Sequence, residues 1–264
     1  MPYPDHLDKH PKIIFFSDFD GTITQDDCID WLVETEGYGP EKLKKSCDDI
    51  LNGEISSREG SKEQMESIRT PFEKCVKKAL DHVKLDEHFV SFHNWATSVS
   101  MPIVILSGGL TPLIRATLSE LLGGGANSIE VVANEVVPRV SGRSVNEDGG
   151  WAVQLRDDSA HGNDKAAAIR PYAQHRDRMP DDQKPVLLYA GDGVSDLGAA
   201  RETELLFAKE GQDLVTYCKK EVIPFTTFQS WKTISEVTQD IFYGRKTLEQ
   251  VVEAGRQIAD AKAL

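Results

Sequence analysis

The stretch IIFFSDFDGTIT, residues 13–24, decides the fold that we predict for this chain. Its first four residues are apolar and β-branched or aromatic, a pattern that predicts a short strand buried on both faces, as in a parallel sheet. Asp18 and Asp20 follow two residues apart where the strand becomes a loop, and Gly21 allows the backbone to turn sharply. The two carboxylates can therefore converge on one site at the carboxyl end of this strand.

Two further apolar runs, residues 103–106 and 186–189, have the same character and are each followed by polar and glycine residues. Helical patterns follow both runs, over residues 111–122 and 195–202. This alternation of strand, loop and helix is typical of a doubly wound sheet. We therefore predict an α/β protein with a Rossmann-like doubly wound parallel sheet, whose sites lie beyond the carboxyl ends of the strands.

Residues 26–100 separate the first and second apolar runs and show helical spacing of apolar residues with no convincing strand. Two capping boxes, Ser56 with Glu59 and Thr70 with Glu73, predict the starts of separate helices there. We therefore predict a helical cap inserted after the first strand.

The predicted division of the chain has two parts, a core domain of residues 1–25 and 101–264 and a cap domain of residues 26–100. Within the core, residues 129–155 alternate β-type residues around a turn-rich centre, which predicts a hairpin. From residue 230 onward the sequence is charged and weakly amphipathic, and we predict helices that pack against the core.

The charge of the chain restricts its partners. Its 43 acidic and 30 basic residues give a net charge of −13, which opposes binding to nucleic acid and to anionic membranes. No apolar run approaches the roughly 20 residues that a membrane-spanning helix needs, and the polar N-terminus lacks the apolar core of a secretory signal. We therefore expect a cytoplasmic protein without nucleic-acid or membrane partners, whose oligomeric state the sequence leaves open.

Further carboxylates follow the third apolar run, in the stretch GDGVSD at residues 191–196. Because the carboxyl ends of parallel strands meet at one edge of a sheet, Asp192 and Asp196 can join Asp18 and Asp20. Such like charges need a compensating cation, and Mg²⁺ prefers oxygen ligands of this kind. A calcium loop of the EF-hand type is excluded, because the first glycine after Asp20 comes too early. The structural alternative is that Asp192 is a turn residue and Asp196 a helix-start residue.

Two other features suit phosphate binding. Ser107, Gly108 and the glycine after them follow the second strand and offer a hydroxyl and backbone N–H groups to phosphate oxygens. Lys165 opens a predicted helix after a glycine turn, where its ammonium can stabilise a transferring phosphoryl group. The alternatives are an ordinary glycine turn and a solvated surface lysine. A serine-hydrolase site at Ser107 is disfavoured because no G-x-S-x-G motif surrounds it.

The ordered motifs DxDGT at residues 18–22, SGG at 107–109, Lys165 and GDGxSD at 191–196 together resemble the haloacid dehalogenase superfamily of phosphohydrolases. The resemblance covers about residues 12–220. It implies a magnesium-dependent phosphatase that acts on a small phosphorylated metabolite.

The resemblance implies a role for each residue that would contact the phosphate. Asp18 is expected to be the nucleophile that forms an aspartyl-phosphate, and Asp20 is expected to be the general acid and base. Ser107, Gly108 and Lys165 are expected to bind the phosphate oxygens.

The resemblance also implies a set of metal ligands. The carboxylate of Asp18, the backbone carbonyl of Asp20 and the carboxylate of Asp192 would ligate Mg²⁺. Asp196 would orient the metal shell or ligate directly. The inserted helices would form a mobile cap that closes over the substrate and excludes water from the wrong step.

Within this superfamily the chain is similar to the phosphoserine phosphatase-like branch, and more closely to methionine-salvage phosphatases that act on 2-hydroxy-3-keto-5-methylthiopentenyl 1-phosphate. The likeness lies in residues 55–60, 107–109 and 206–209. Phosphoserine phosphatases carry a substrate-binding Glu shortly after the first motif, where this chain has Asp27. The resemblance therefore implies a sugar, polyol or methylthio-ketose phosphate as substrate, with phosphoserine as the alternative.

The cap residues Asp27, Arg58 and Glu59 are the candidates for substrate specificity, because a polar cap wall can hydrogen-bond the hydroxyls or charges of a substrate. For Glu59 the capping box with Ser56 is the alternative explanation. Two other functions stay open, a phosphotransferase that passes the aspartyl-phosphate to an alcohol and a non-catalytic phosphate-binding relative.

Overall fold

The structure is a computed structural model that describes residues 9–260. Residues 1–8 and 261–264 of the predicted core domain lie outside the described residues. Within the described part, seven strands form one sheet. In chain order they are β1 (Ile13–Ser17), β2 (Ile103–Leu110), β3 (Glu130–Pro138), β4 (Trp151–Gln154), β5 (Val186–Gly191), β6 (Leu205–Lys209) and β7 (Thr226–Phe228).

The sheet has the strand order β4-β3-β2-β1-β5-β6-β7. All neighbouring pairs are parallel except β3 and β4, which form the antiparallel hairpin predicted over residues 129–155. Strand β1 is central, with Phe16 between Val104 of β2 and Tyr189 of β5. Because successive side chains of a strand point to opposite faces, Phe15 and Phe16 enter two different apolar clusters, one on each face of the sheet. The predicted Rossmann-like doubly wound fold is confirmed.

The described helices cover both faces of this sheet and the whole inserted region. In chain order they are α1 (Cys28–Glu36), α2 (Pro40–Leu51), α3 (Ser57–Ser67), α4 (Phe72–His82), α5 (Phe89–Ser98), α6 (Thr111–Leu122), α7 (Lys165–Asp177), α8 (Leu197–Ala200), α9 (Asp213–Glu221), α10 (Trp231–Phe242) and α11 (Leu248–Asp260). None of them is both long enough and apolar enough to cross a lipid bilayer.

Most of the predicted helices are confirmed. Residues 26–100 contain five helices and no strand beyond an isolated bridge that Leu85 forms with Thr24. Helix α6 matches the predicted helix, and α10 and α11 form the predicted helical tail. The helix predicted over residues 195–202 is shorter, because a 3₁₀ turn precedes the single-turn helix α8.

Helices α1 to α4 pack around a common apolar cluster that includes Leu32 of α1, Met65 of α3 and Cys75 of α4. Trp151 and Val153 of β4 belong to the same cluster, so the β3–β4 hairpin lies against these four helices. The inserted helices therefore share a hydrophobic core with part of the sheet.

Hydrogen bonds also join the β3–β4 hairpin to the inserted helices. The indole N–H of Trp151 donates to the carbonyl oxygen of Thr70 at 3.0 Å, and the N–H of Phe72 donates to the carbonyl oxygen of Val145 at 3.1 Å. The guanidinium of Arg139 donates to a carbonyl oxygen at the end of α3 at 3.1 Å. The inserted helices are therefore attached along the hairpin as well as at their two chain connections.

Helix α5 differs from the four helices before it in what it contacts. Phe89 and Phe92 pack against Trp231 of α10, and Phe92 also contacts Phe15 of β1. This helix therefore lies against the sheet, although the predicted cap domain of residues 26–100 includes it. The predicted domain division itself stays a prediction.

One of the two predicted capping boxes is confirmed. Ser56 caps α3 by accepting a hydrogen bond from the N–H of Glu59, whose side chain accepts one from the N–H of Ser56. The box predicted for Thr70 and Glu73 is wrong. A proline takes the N-cap position of α4, and the hydroxyl of Thr70 donates instead to the carboxylate of Glu36 at 2.6 Å.

Candidate active site

The carboxyl ends of three neighbouring strands bring the predicted motif residues together. Asp18 follows β1, Ser107 lies in the last part of β2, and Asp192 follows β5. The N–H of Asp18 donates to the carbonyl oxygen of Ala190 at 2.8 Å, which continues the ladder between β1 and β5. These residues line a cavity of about 270 Å³, whose other walls include residues of α1 and α3. A site at this edge is what the doubly wound fold predicts.

Lys165 lies beside the predicted nucleophile. It is the first residue of α7, and Asp164 caps that helix by accepting a hydrogen bond from the N–H of the third residue. The Lys165 ammonium lies 2.9 Å from the Asp18 carboxylate and 2.7 Å from that of Asp196. Although burial opposes the charged form, these two carboxylates raise the pKa of Lys165 above its usual range. At 4% exposure Lys165 is a fixed buried cation rather than a solvated surface lysine.

Asp196 is fully buried and accepts hydrogen bonds on both carboxylate oxygens. One oxygen accepts from the hydroxyl of Tyr189 at 2.5 Å as well as from Lys165. The other accepts from the backbone N–H groups of Asp192 and Gly193, each at 3.0 Å. Asp196 therefore fixes both the lysine and the loop that carries Asp192. Tyr189, in the predicted third strand, is a site residue that the sequence analysis missed.

The carboxylates can hold a metal ion. Oxygen atoms of Asp18, Asp192 and Asp196 lie within 4.8 Å of one another. Burial raises the pKa of Asp192 to about 6, and the charge of Asp196 adds to this effect. Burial also raises the pKa of Asp18; Lys165 opposes the shift, and the two other aspartates add to it. An all-oxygen set with this excess of negative charge fits a hard divalent cation such as Mg²⁺.

Asp20 lines the same cavity, next to α1. One of its carboxylate oxygens accepts a hydrogen bond from the N–H of Cys28 at 2.9 Å. Burial raises the pKa of Asp20 to about 7, and the negative charge of Asp27 adds to the shift. A carboxyl group with this pKa can give and take protons near neutral pH, which suits a general acid and base.

The loop after β1 approaches the Asp192 loop so closely that it needs a glycine. Gly21 has a φ of +70°, and a Cβ at this position would lie 2.3 Å from a carboxylate oxygen of Asp192. The ammonium of Lys209, at the end of β6, donates to the carbonyl oxygen of Gly21. Lys209 therefore anchors this loop, a contact that the sequence analysis did not anticipate.

The Ser107–Gly108 segment is held by two asparagines. The hydroxyl oxygen of Ser107 accepts a hydrogen bond from the N–H of Gly109 at 2.9 Å. The carbonyl oxygen of Ser107 accepts one from the side-chain amide of Asn163 at 2.5 Å. The carbonyl oxygen of Gly108 accepts from the Asn134 amide at 2.7 Å. Neither asparagine was predicted from the sequence, although Asn163 stands two residues before Lys165. The segment is thus fixed at the cavity wall, where both Ser107 and Gly108 line the cavity.

The three candidate specificity residues lie in different places. Asp27 lines the cavity and also caps α1 by accepting two backbone hydrogen bonds. Arg58 and Glu59 do not belong to the residues that line the cavity. The Arg58 guanidinium instead contacts Asp157 and Asp158, in the segment before α7, and Glu59 is exposed in its capping box.

Other residues of the inserted helices line the cavity instead. Asp30 of α1 and Ser61, Gln64 and Met65 of α3 contribute to its wall. The sequence analysis missed all four, and a usable signal existed for Asp30 alone. Asp30 stands three residues after Asp27, which caps α1, so both carboxylates lie at the same end of that helix.

Comparison with known proteins gives consistent matches. The family model described as haloacid dehalogenase-like hydrolase matches residues 15–201. The chain is 38% identical over 245 residues to the polyol phosphate phosphatase PYP1 of Saccharomyces cerevisiae, covering 92% of this chain and 99% of that protein. It is 38% identical over 233 residues to Pdp3-interacting factor 1 of Schizosaccharomyces pombe, covering 88% of this chain and 97% of that protein. A 2-hydroxy-3-keto-5-methylthiopentenyl-1-phosphate phosphatase of Bacillus pumilus is 24% identical, and the match covers 79% of this chain and 83% of that protein.

Solved structures share the fold at low sequence identity. A phospho-aspartyl intermediate analogue of phosphoserine phosphatase superposes with a TM-score of 0.56 at 18% identity, covering 78% of this chain and 90% of that chain. A phosphoserine phosphohydrolase-like protein from Francisella tularensis superposes with a TM-score of 0.58 at 15% identity, covering 85% and 99%.

Proposed function

The chain belongs to the haloacid dehalogenase-like hydrolase family, and from this premise we propose that it is a Mg²⁺-dependent phosphatase for small polyol phosphates. One observation carries the proposal. Asp18, paired with the buried Lys165, lies in the same cavity as Asp20, a carboxyl group with a pKa of about 7. A nucleophile, a cation for the phosphoryl group and a proton carrier are thereby available in one place.

The proposed reaction has two steps, both carried by residues of this chain. In the first, a carboxylate oxygen of Asp18 forms a bond to phosphorus, the ester P–O bond breaks, and Asp20 gives its proton to the leaving alcohol. In the second, Asp20 takes a proton from water, which attacks phosphorus and releases phosphate and free Asp18. Lys165 and the Ser107 hydroxyl hold the phosphoryl oxygens during both steps.

The proposed Mg²⁺ ligands are the carboxylates of Asp18 and Asp192 and the backbone carbonyl of Asp20. Asp196 is assigned an orienting role, because its two oxygens already accept hydrogen bonds from four donors. Bound Mg²⁺ would supply positive charge that stabilises the phosphoryl oxygens.

The composition of the cavity supports a polyol phosphate over phosphoserine. The similar yeast protein is named a polyol phosphate phosphatase, and the cap wall offers polar side chains such as Asp30, Ser61 and Gln64. Phosphoserine carries an ammonium group, which the acidic wall can accept, and also a carboxylate, which needs a positive partner. Lys165 is the one cationic side chain among the described residues that line the cavity, and it is already paired with two aspartates.

A substrate screen tests the proposal. We expect kcat/KM for polyol phosphates to exceed the value for phosphoserine, because uncharged hydroxyl groups suit the acidic cap wall and need no positive partner. Free phosphate and phosphorylated acceptor should be measured together in the presence of added alcohols. Release of phosphate alone supports hydrolysis. A preference for phosphoserine would contradict the proposed substrate, and predominant transfer to alcohols would contradict hydrolysis.

Removal of divalent metal is expected to abolish activity, and added Mg²⁺ is expected to restore it. Because a cation that binds only the folded state stabilises that state, saturating Mg²⁺ should also raise the melting temperature of the wild type. Asp192→Asn should lose this increase, whereas the surface control Asp182→Asn should keep it. Full activity in a chelator, together with an unchanged melting temperature, would rule out the metal site.

A further inference from the structure

The cap wall of the cavity carries polar side chains that the proposed reaction does not use. Asp30 of α1 and Ser61 and Gln64 of α3 contribute to this wall, together with Asp27. Two of the four are held by neighbours. The Gln64 amide donates to the hydroxyl of Ser46 at 3.1 Å, and one oxygen of Asp27 accepts two backbone N–H groups at 2.8 Å each.

Asp30 has no such partner. Asp30 is half-buried, and its carboxylate accepts no hydrogen bond and forms no ion pair with any residue between positions 9 and 260. Burial raises the pKa of Asp30 to about 7, and the negative charge of Asp27 adds to this shift. A carboxylate withdrawn from bulk water without a protein partner is costly, and here its position on the wall leaves it free to contact a substrate. The Ser61 hydroxyl also has no hydrogen-bond partner among the described residues.

The charge around Asp30 restricts what it can contact. The described residues that line the cavity include five aspartates, Asp18, Asp20, Asp27, Asp30 and Asp192. The charge of the lysine ammonium is already shared by two buried carboxylates. A second negative charge on a substrate would therefore meet other negative charges at the cap end, whereas a neutral hydroxyl group can donate a hydrogen bond there.

We propose that Asp30, assisted by Ser61, selects the substrate. The Asp30 carboxylate accepts a hydrogen bond from a hydroxyl group of the leaving alcohol, and its negative charge disfavours leaving groups that carry a second anionic group. This inference rests on the proposed phosphatase function and assigns a specificity role to α1 and α3. Asp30 and Ser61 thereby replace Arg58 and Glu59 as the candidate specificity residues.

Three phosphomonoesters test this role: glycerol phosphate, its carboxylate counterpart 3-phosphoglycerate, and p-nitrophenyl phosphate, which has no hydroxyl in its leaving group. Activity should be measured at mildly alkaline pH, where Asp30 is ionised. For Asp30→Asn we expect kcat/KM for glycerol phosphate to fall by about tenfold, because the amide oxygen still accepts a hydrogen bond but without the charge that strengthens it. The ratio of kcat/KM for 3-phosphoglycerate to kcat/KM for glycerol phosphate should rise. The kcat/KM for p-nitrophenyl phosphate should be unchanged.

Two further variants serve as support and control. Ser61→Ala should lower kcat/KM for glycerol phosphate alone, by a smaller factor than Asp30→Asn. Asp48→Asn removes an exposed carboxylate of the same cap, outside the cavity, and should change none of the three activities.

The outcomes separate the specificity role from the proposed function. An Asp30→Asn enzyme with the wild-type ratio of glycerol phosphate to 3-phosphoglycerate hydrolysis would overturn the specificity role, as would an equal loss on all three substrates in a folded variant. If the wild type hydrolyses none of the three with Mg²⁺ present, the proposed function fails, and the specificity role fails with it.

Discussion

Asp18→Asn is expected to lower the rate of phosphate release by on the order of 10⁴-fold. An amide oxygen is a poor nucleophile toward phosphorus, so the first step of the proposed reaction is lost. The variant should still fold, because asparagine has nearly the same shape and Lys165 keeps its contact with Asp196 at 2.7 Å. The measurement is the steady-state release of phosphate from a polyol phosphate and from p-nitrophenyl phosphate, together with the melting temperature.

The matched control for Asp18→Asn is Asp182→Asn, which removes an exposed carboxylate before β5. It should retain wild-type activity and stability. If Asp18→Asn keeps activity comparable to the control, Asp18 is not the nucleophile.

Lys165→Met is expected to have the second largest effect, on stability as well as on activity. The substitution removes the ammonium that contacts both Asp18 and Asp196 and leaves two buried carboxylates without it. Breaking a buried ion pair from one side costs about 3–5 kcal/mol of unfolding free energy. Loss of a positive group at the phosphoryl oxygens should lower kcat by about 10²- to 10³-fold. Denaturant unfolding and steady-state kinetics measure the two effects.

The stability loss in Lys165→Met should depend on pH. Burial already raises the pKa of Asp18, and loss of the ammonium raises it further. A carboxyl group with a raised pKa in the folded state favours folding at low pH, where it is protonated, and this contribution is lost as the pH rises through the raised pKa. The difference in unfolding free energy between Lys165→Met and the wild type should therefore be smaller at acidic than at neutral pH. A pH-independent difference would argue against an electrostatic origin.

Two comparisons make the lysine result specific. Lys184→Met removes a surface pair with Asp181, whose carboxylate is fully exposed, and should change stability by less than about 1 kcal/mol. The double variant Lys165→Met with Asp18→Asn should be more stable than Lys165→Met alone. One of the two buried carboxylates that lost their cationic partner is then absent. A double variant with additive losses would show that the pair is not coupled.

The strands at the centre of the sheet could be predicted from the sequence because they are buried on both faces. Strands β1, β2 and β5 appear as continuous apolar runs that end in carboxylates or glycines, and this pattern needs no tertiary information. The edge strand β7 has three residues, Thr226–Phe228, too few for any periodicity to be read. Strand β6, Leu205–Lys209, is four-fifths apolar and shows that the same signal was present in a fourth run.

The catalytic residues were predictable for a related reason, whereas the cavity residues of the inserted helices, Asp30 excepted, were not. Asp18, Ser107 and Asp192 follow or lie in three neighbouring parallel strands of one sheet, so topology alone brings them together. The cavity-facing residues of α1 and α3 depend on how each helix is rotated relative to the core. Local spacing could not tell that Ser61 and Gln64 face the cavity while Arg58 contacts the segment before α7.

The contact between the β3–β4 hairpin and the inserted helices restrains the movement of these helices. An insertion joined to its host only at its two chain ends can rotate widely about them. Here rotation would expose Trp151, which is fully buried, and exposing a large aromatic side chain costs roughly 2–3 kcal/mol. A hinge restrained in this way would favour free metabolites over a phosphorylated side chain of a folded protein, and efficient hydrolysis of a phosphoprotein would contradict this expectation.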